Sequence, residues 1–349
     1  MMQGPRISVC IPAYNRAALL QPLLDSILSQ INSDFEIVIS EDASPEQKQI
    51  QAIVEFNSNL FPGRISYHQN EINLGYDGNL RRLVELARGD YVIFMGNDDL
   101  MAPGALSVLE AALGTYPNVG VVLRSYASFM NSPDELVEKF RYFDRNTFFP
   151  AGARTIVTFF RRCVFISGMA VKRESALAIS SAKFDGTLLY QQHLVGQILA
   201  MENGVYLTEF LSYHRLGGTP DFGNSAVERG RFIPGEQTIE SSVHFVRGML
   251  KIALSIEKST SLSVYSDILK DIGNYSYPIL SIQARRTRVQ FLKYTLSLAA
   301  LGLGRVPLFY IYVFGLLIFG KDVCDSLIKK IKLLLGRAPK IGNVYSGGN

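Results

Sequence analysis

Five short apolar runs rich in β-branched residues, at 7–11, 35–40, 65–69, 91–95 and 119–123, alternate with four amphipathic stretches at 17–30, 45–59, 78–87 and 103–115. Runs this uniformly apolar suit strands buried on both faces of a mainly parallel sheet, so the order of elements predicts an α/β fold. Pro45 and Pro103 fall where the first turn of a helix tolerates proline, and Ser44 suits an N-cap. In such a sheet ligands bind beyond the carboxyl ends of the strands. The loops that follow the runs are therefore where chemistry is sought.

Beyond residue 124 the alternation breaks up. The stretch 131–150 is polar and aromatic without a period and reads as a loop-rich insertion, while a helix at 154–161, a strand at 166–171, a helix at 189–201 and a strand at 205–213 would complete a domain over 1–218. Glycine and proline without an apolar period make 219–237 a linker or mobile loop, and 238–293 reads as two or three helices. The last segment, 294–349, joins an almost wholly apolar run to a polybasic tail.

The net charge of +4 is unevenly spread. Residues 1–120 hold 14 acidic and 7 basic side chains (net −7), whereas 281–349 hold 2 and 11 (net +9). A nucleic-acid reader would carry its basic residues on the folded domain, so the acidic first third predicts no nucleic-acid partner. The positive end adjoins grease. Between Arg305 and Lys321 the uncharged run 306–320 is short for a span, which takes about 20 apolar residues. It suits a peripheral or re-entrant element on an anionic membrane surface, with the lysines placing it at the cytoplasmic face of the inner membrane; a buried helical hairpin or a true span are the other readings. Cys10, Cys163 and Cys324 stand apart without metal-ligand spacing, which predicts neither disulfides nor zinc. The first apolar run, 7–11, is too short for a signal peptide.

Three loops follow the first, second and fourth runs: Pro12-Ala13-Tyr14-Asn15-Arg16, Glu41-Asp42-Ala43-Ser44 and Gly96-Asn97-Asp98-Asp99. On one sheet edge they would supply a carboxylate to read a base or ribose, backbone amides for a phosphate, and paired acids suited to a hard divalent cation. Helix capping before Pro103 is the plainer reading of Asp98 and Asp99. Neither GxGxxG after the first run nor GxxxxGK[ST] anywhere is present, which removes the main support for a dinucleotide dehydrogenase or a P-loop kinase.

The segments ISVCIPAYNR (7–16), EIVISEDAS (36–44), NLGYDGNLRRLVELARGDYVIFMGNDDL (73–100) and FDGTLLYQQHL (184–194) together resemble the family 2 glycosyltransferases over about residues 5–218, and within them the enzymes that build bacterial O-antigen, abequosyltransferase-like proteins among them. The resemblance implies a GT-A fold, a mainly parallel sheet flanked by helices, here followed by a helical, membrane-associating C-terminal region. It implies a nucleotide-diphosphate sugar donor, inversion at the anomeric carbon, a divalent metal (Mg²⁺ or Mn²⁺), and a lipid-linked oligosaccharide as acceptor. By the family pattern Pro12, Ala13, Tyr14 and Asn15 line the nucleotide, Asp42 contacts the base, Arg81 (or Arg82) approaches the nucleotide, and Asn97 lies beside the metal carboxylates Asp98 and Asp99.

Two departures stand out. The first acid of the usual metal motif is replaced by Gly96, leaving Asp98 with Asp99. The acid pair that normally supplies the base is replaced within Tyr190-Gln191-Gln192-His193, so His193 and Asp185 become the candidate catalytic bases. Tyr213-His214-Arg215 with Gly217 and Gly218 resembles the family's strand-end segment, whose glycines and Arg215 would close over the diphosphate; a solvated loop is the plainer reading. A sugar-phosphate nucleotidyltransferase and a non-catalytic membrane-bound scaffold of the same fold are the alternatives.

Overall fold

The computed structural model describes residues 6–31, 34–218 and 220–335. The expected alternation is present as β1 (Ile7–Ala13), α1 (Ala17–Leu28), β2 (Phe35–Glu41), α2 (Gln47–Leu60), β3 (Ile65–Gln69), α3 (Gly75–Leu86), β4 (Tyr91–Phe94), β5 (Leu100–Met101), α4 (Ala105–Thr115) and β6 (Val119–Phe129). β3, β2, β1 and β4 lie side by side and parallel. Along each strand the side chains serve two cores in turn. Val9, Ile11, Ile37 and Ile93 face α1, α2 and α4, while Cys10, Val38, Val92 and Phe94 face α3 and the helices that follow. Burial on both faces is why these strands lack a polar alternation.

The second half differs from the expected pattern in three places. β6 does not stop at residue 123 but runs on through Arg124, which is fully buried, to Phe129. The stretch 131–150 is not all loop: β7 (Leu136–Phe140) and β8 (Thr147–Phe149) pair antiparallel with β6 and with β10 (Asn203–Arg215). The strand expected at 166–171 shrinks to β9 (Ala170–Lys172), because Gly168 takes a left-handed φ of 83° and Ser167 turns its hydroxyl toward the β4 end. β9 is antiparallel to both β4 and β6, whereas β10 is parallel to β6.

Helices α5 (Ala153–Phe160), α6 (Arg173–Ala178) and α7 (Tyr190–Ile198) share a core with the C-terminal helices α8 (Ile239–Thr260), α9 (Tyr265–Asn274), α10 (Tyr277–Gln283), α11 (Arg288–Ala300) and α12 (Pro307–Leu335). Gly196 permits this docking, since a Cβ there would lie 2.1 Å from Ile256 Cδ1. The apolar run of 294–319 is part of that core: Tyr294, Leu298, Leu303, Phe309, Val313 and Leu316 are buried. α12 is broken at Gly320, where φ is 75° and ψ 170°. No helix among the described residues is long and apolar enough to cross a membrane. The tail 336–349, with Arg337 and Lys340, lies outside the described residues.

Candidate functional site

At the carboxyl edge of the sheet the backbone leaves its ordinary regions. Asn15 (φ 52°) and Arg16 (φ 61°) after β1 and Ala43 (φ 52°) after β2 are left-handed, a conformation that costs a non-glycine residue roughly 1 kcal/mol or more and that concentrates at functional sites. Asp42 N–H donates to the Ala13 carbonyl (2.9 Å), continuing the β1–β2 ladder past Pro12 into the loops. Asn97 Nδ2 donates to the carbonyls of Tyr14 (3.3 Å) and Asn15 (3.1 Å), which ties the turn after β4 to the loop after β1. The expected donor-site residues Pro12, Ala13, Tyr14, Asn15, Asp42 and Asn97 are thus brought to one place.

Asp42 is buried and accepts from Asn70 Nδ2 (2.8 Å), Leu74 N–H (2.8 Å) and Gly75 N–H (3.0 Å). Burial outweighs these three bonds and pushes its carboxyl up to about 6. Next to it a groove of about 350 Å³ is lined by Ala43, Ser44, Gln47, Gln69, Asn70 and Glu71.

Asp98 and Asp99 are adjacent in sequence but have different partners. Asp98 pairs with Arg16 Nη1 at 2.6 Å, and burial together with the charge of Asp99 raises its pKa. Asp99 is almost wholly buried and uses both oxygens: Oδ1 accepts from the Arg215 N–H (3.0 Å) and lies 3.0 Å from His214 Nδ1, and Oδ2 accepts from Ser167 Oγ. Ser167 Oγ also accepts from Gly96 N–H (2.8 Å), while its carbonyl takes two bonds from the buried guanidinium of Arg124. This chain of contacts fixes the 96–99 turn. For His214 burial lowers the pKa, but the hydrogen bond and charge of Asp99, with Asp98 behind it, leave it raised overall.

Among the described residues no group of three or more His, Cys, Asp and Glu side chains is arranged to hold a metal ion by itself. Asp98 fits as the single carboxylate of a divalent cation completed by diphosphate oxygens and water, once Arg16 withdraws. Asp99 fits poorly, because ligation would break the contacts that hold the turn.

The other expected residues have partners of their own. The Arg81 guanidinium binds Asp185 in two bonds (2.5 and 2.8 Å). Asp185 is therefore an ion-pair partner, with Arg231 on its carbonyl. His193 lies on α7 at 6% exposure, its Nε2 on the Ile179 carbonyl (3.0 Å) and its ring against Phe184. Burial lowers its pKa, and Nδ1, the nitrogen left with a lone pair, is buried without a partner. Gln191 and Gln192 donate to the carbonyls of Val164 and Phe160 and anchor α7.

Residues 220–237 are folded onto the site. Asn15 Nδ2 donates to Asp221 (2.9 Å), and the buried Glu228 accepts from Tyr76 N–H (2.7 Å) and Gly223 N–H (2.9 Å). Gly75 accommodates this loop: its φ is 79°, and a Cβ would stand 2.5 Å from Ser225 Oγ. Arg124, Ser167, Asp221 and Glu228 thus belong to the site although sequence reasoning did not assign them to it, and Arg16 and His214, each inside a segment that the sequence singled out, join it as partners of Asp98 and Asp99.

A mainly parallel sheet carrying strained loops and a carboxylate pair at its carboxyl edge defines a GT-A glycosyltransferase fold. Residues 8–178 match the family model Glycosyl transferase family 2, and that segment of the chain is a domain of this family. Abequosyltransferase RfbV of Salmonella typhimurium is 41% identical over 115 residues, 32% of this chain and 34% of that one. The GalNAc(5)-diNAcBac-PP-undecaprenol beta-1,3-glucosyltransferase of Campylobacter jejuni is 35% identical over 106 residues, 30% of this chain and 33% of that one. The matched segment therefore spans about a third of these relatives. The crystal structure of S. aureus TarS 1-349 shares the fold at 16% identity with a TM-score of 0.57, over 95% of this chain and 92% of that one.

Proposed function

We propose that the chain transfers a sugar, with inversion, from a nucleoside-diphosphate donor to a hydroxyl of a lipid-linked oligosaccharide at a membrane surface in the assembly of bacterial surface polysaccharide. The observation that carries this reading is the convergence of the β1 and β2 loops, the β4-end carboxylates and the 220–237 loop on one sheet edge. The named activities of the Salmonella and Campylobacter relatives support sugar transfer, and the undecaprenol in the second name supports a lipid-linked acceptor.

In this reading Asp42, held in place by Asn70 and the α3 N-terminus, meets the base, and Tyr14 and Asn15 line the nucleotide. Arg16 and Arg215 are the cations next to Asp98 that can turn to the diphosphate. A divalent cation, when bound at Asp98, would neutralise charge that builds on the leaving diphosphate. His193 and Asp185 position α7 and the turn before it.

The test is nucleoside-diphosphate release from a panel of nucleotide sugars with Mg²⁺ or Mn²⁺, with and without lipid-linked acceptor. Acceptor-dependent release is expected. Pyrophosphate release from a sugar phosphate and a nucleoside triphosphate would point to a nucleotidyltransferase, and donor binding without turnover on any acceptor would point to a scaffold. His193→Ala is expected to lower stability by about 1–3 kcal/mol through a lost buried hydrogen bond and packing while retaining turnover, read by thermal melts beside the release assay. Loss of turnover at an unchanged melting temperature would restore His193 as the base.

A further inference from the structure

The outer faces of α11 and α12 are apolar, and no described residue covers them. Leu296 is 67% exposed, Ile311 63%, Phe314 58% and Ile318 70%. These are not scattered residues: 311, 314 and 318 recur at helical spacing on one side of α12, while Phe309, Val313 and Leu316 on the other side are buried in the core. A helix that is apolar all round is normally enclosed, so the outer face calls for a partner.

The charges around this face say which kind. Arg285, Arg286 and Arg288 are exposed at the α10–α11 corner, and Lys329 and Lys330 are exposed beyond the Gly320 break. Residues 281–335 hold nine basic side chains and two acidic ones, one of which, Asp322, pairs with Arg285 (2.8 Å), so a second copy docked face to face would set one positive surface against another. The tail 336–349 is rich in glycine and itself basic, with Ile341, Val344 and Tyr345 as its large apolar side chains, a poor cover for an apolar face. An anionic bilayer offers both hydrocarbon and opposite charge. It would be met from one side only, because Phe309, Val313 and Leu316 fasten α12 to the protein.

We propose that the α11–α12 face, with the arginines of the α10–α11 corner and the lysines of the second half of α12, is an in-plane docking surface for an anionic lipid bilayer. This deepens the proposed function, on which it rests for its purpose, by naming the face through which the enzyme lies on the membrane. The corner is also joined to the donor site. Gln283 Nε2 donates to the carbonyls of Gln237 (2.8 Å) and Thr238 (3.0 Å), and Arg286 to that of Gln237 (3.3 Å), at the end of the loop whose other end binds Asn15.

The test is co-sedimentation of the full chain, without donor or acceptor, with vesicles of phosphatidylcholine alone or mixed with phosphatidylglycerol. Binding to the mixed vesicles and little to the neutral ones is expected. The variant I311S/F314S/I318S, altered only at exposed positions, should lose about tenfold or more of that binding with an unchanged melting temperature and unchanged release on a detergent-dispersed acceptor. R285Q/R286Q/R288Q should weaken binding to mixed vesicles by about tenfold or more and leave the neutral baseline unaltered. Wild-type protein that stays in the supernatant with both vesicle types would overturn the proposal, as would a dimer in size-exclusion chromatography that the serine variant dissolves. Vesicle binding without any sugar transfer would remove the proposed function and leave the docking face standing.

Discussion

Asp98→Asn is expected to reduce nucleoside-diphosphate release by about 10²–10³-fold, the usual loss when one preorganised charge-stabilising group is removed from an active site. Asparagine keeps the shape but not the charge, so a cation would lose the carboxylate of the β4-end pair that does not hold the 96–99 turn. Stability should hardly change. The Arg16–Asp98 pair is partly exposed, and such pairs contribute about 0.2–1 kcal/mol at most. Asp99→Asn is the contrasting variant: its two oxygens face Ser167 Oγ, His214 Nδ1 and the Arg215 N–H, and turning an amide toward these groups should lower the melting temperature together with the activity. The two variants are read by release with Mn²⁺ and by thermal melts. Wild-type release by Asp98→Asn would show that the cation is held elsewhere or not needed. Equal melting losses in both would show that Asp98 is structural.

Which parts of this arrangement could be read from sequence follows from what each residue interacts with. The strand ends were legible because continuous β-branched runs have few other uses, and the loops after β1, β2 and β4 then fall on one edge by topology alone. Arg124 hid the length of β6, since a charged residue ordinarily ends a buried strand; here it binds the Ser167 carbonyl and stacks near Tyr126 and Phe165. Arg81 and Asp185 were each plausible ligands for something outside the protein, and only their mutual distance shows that they bind each other. The loop at 220–237 has the composition of a linker because its backbone is tied down by single carboxylates, Asp221 and Glu228, rather than by an apolar stripe. The C-terminal grease was legible as a run but not as two faces. The buried and exposed positions of α12 are equally apolar, so nothing in the pattern distinguishes them.

Asp77→Ala is expected to destabilise the protein on the order of 3 kcal/mol at neutral pH, and by more in acid. Asp77 lies in the first turn of α3, 1% exposed, and accepts from three backbone N–H groups, those of Thr187 (3.0 Å), Leu188 (2.9 Å) and Tyr190 (2.8 Å). Leu188 is held there in a left-handed conformation (φ 64°), so the carboxylate fixes the entry to α7 and with it the turn bearing Asp185. Alanine would leave three buried donors unpaired at about 1–3 kcal/mol each. Against this stands relief of a buried charge, because burial outweighs the backbone bonds and pushes the Asp77 carboxyl up to about 6 from 3.8. That shift is worth on the order of 3 kcal/mol, less than the combined cost of the three donors, so destabilisation wins. The pH dependence follows from the raised value. Between about 4 and 6 the folded state binds the proton more tightly than the unfolded chain, so this group's stabilisation is fully present below about 4 and is lost as the pH rises through about 6. The wild-type protein should thus gain stability relative to Asp77→Ala on acidification, and the gap between their urea midpoints should widen from pH about 7 to about 4. A gap that narrows in acid would mean that the backbone bonds, not burial, control this carboxylate, and that Asp77 is ionised throughout the range.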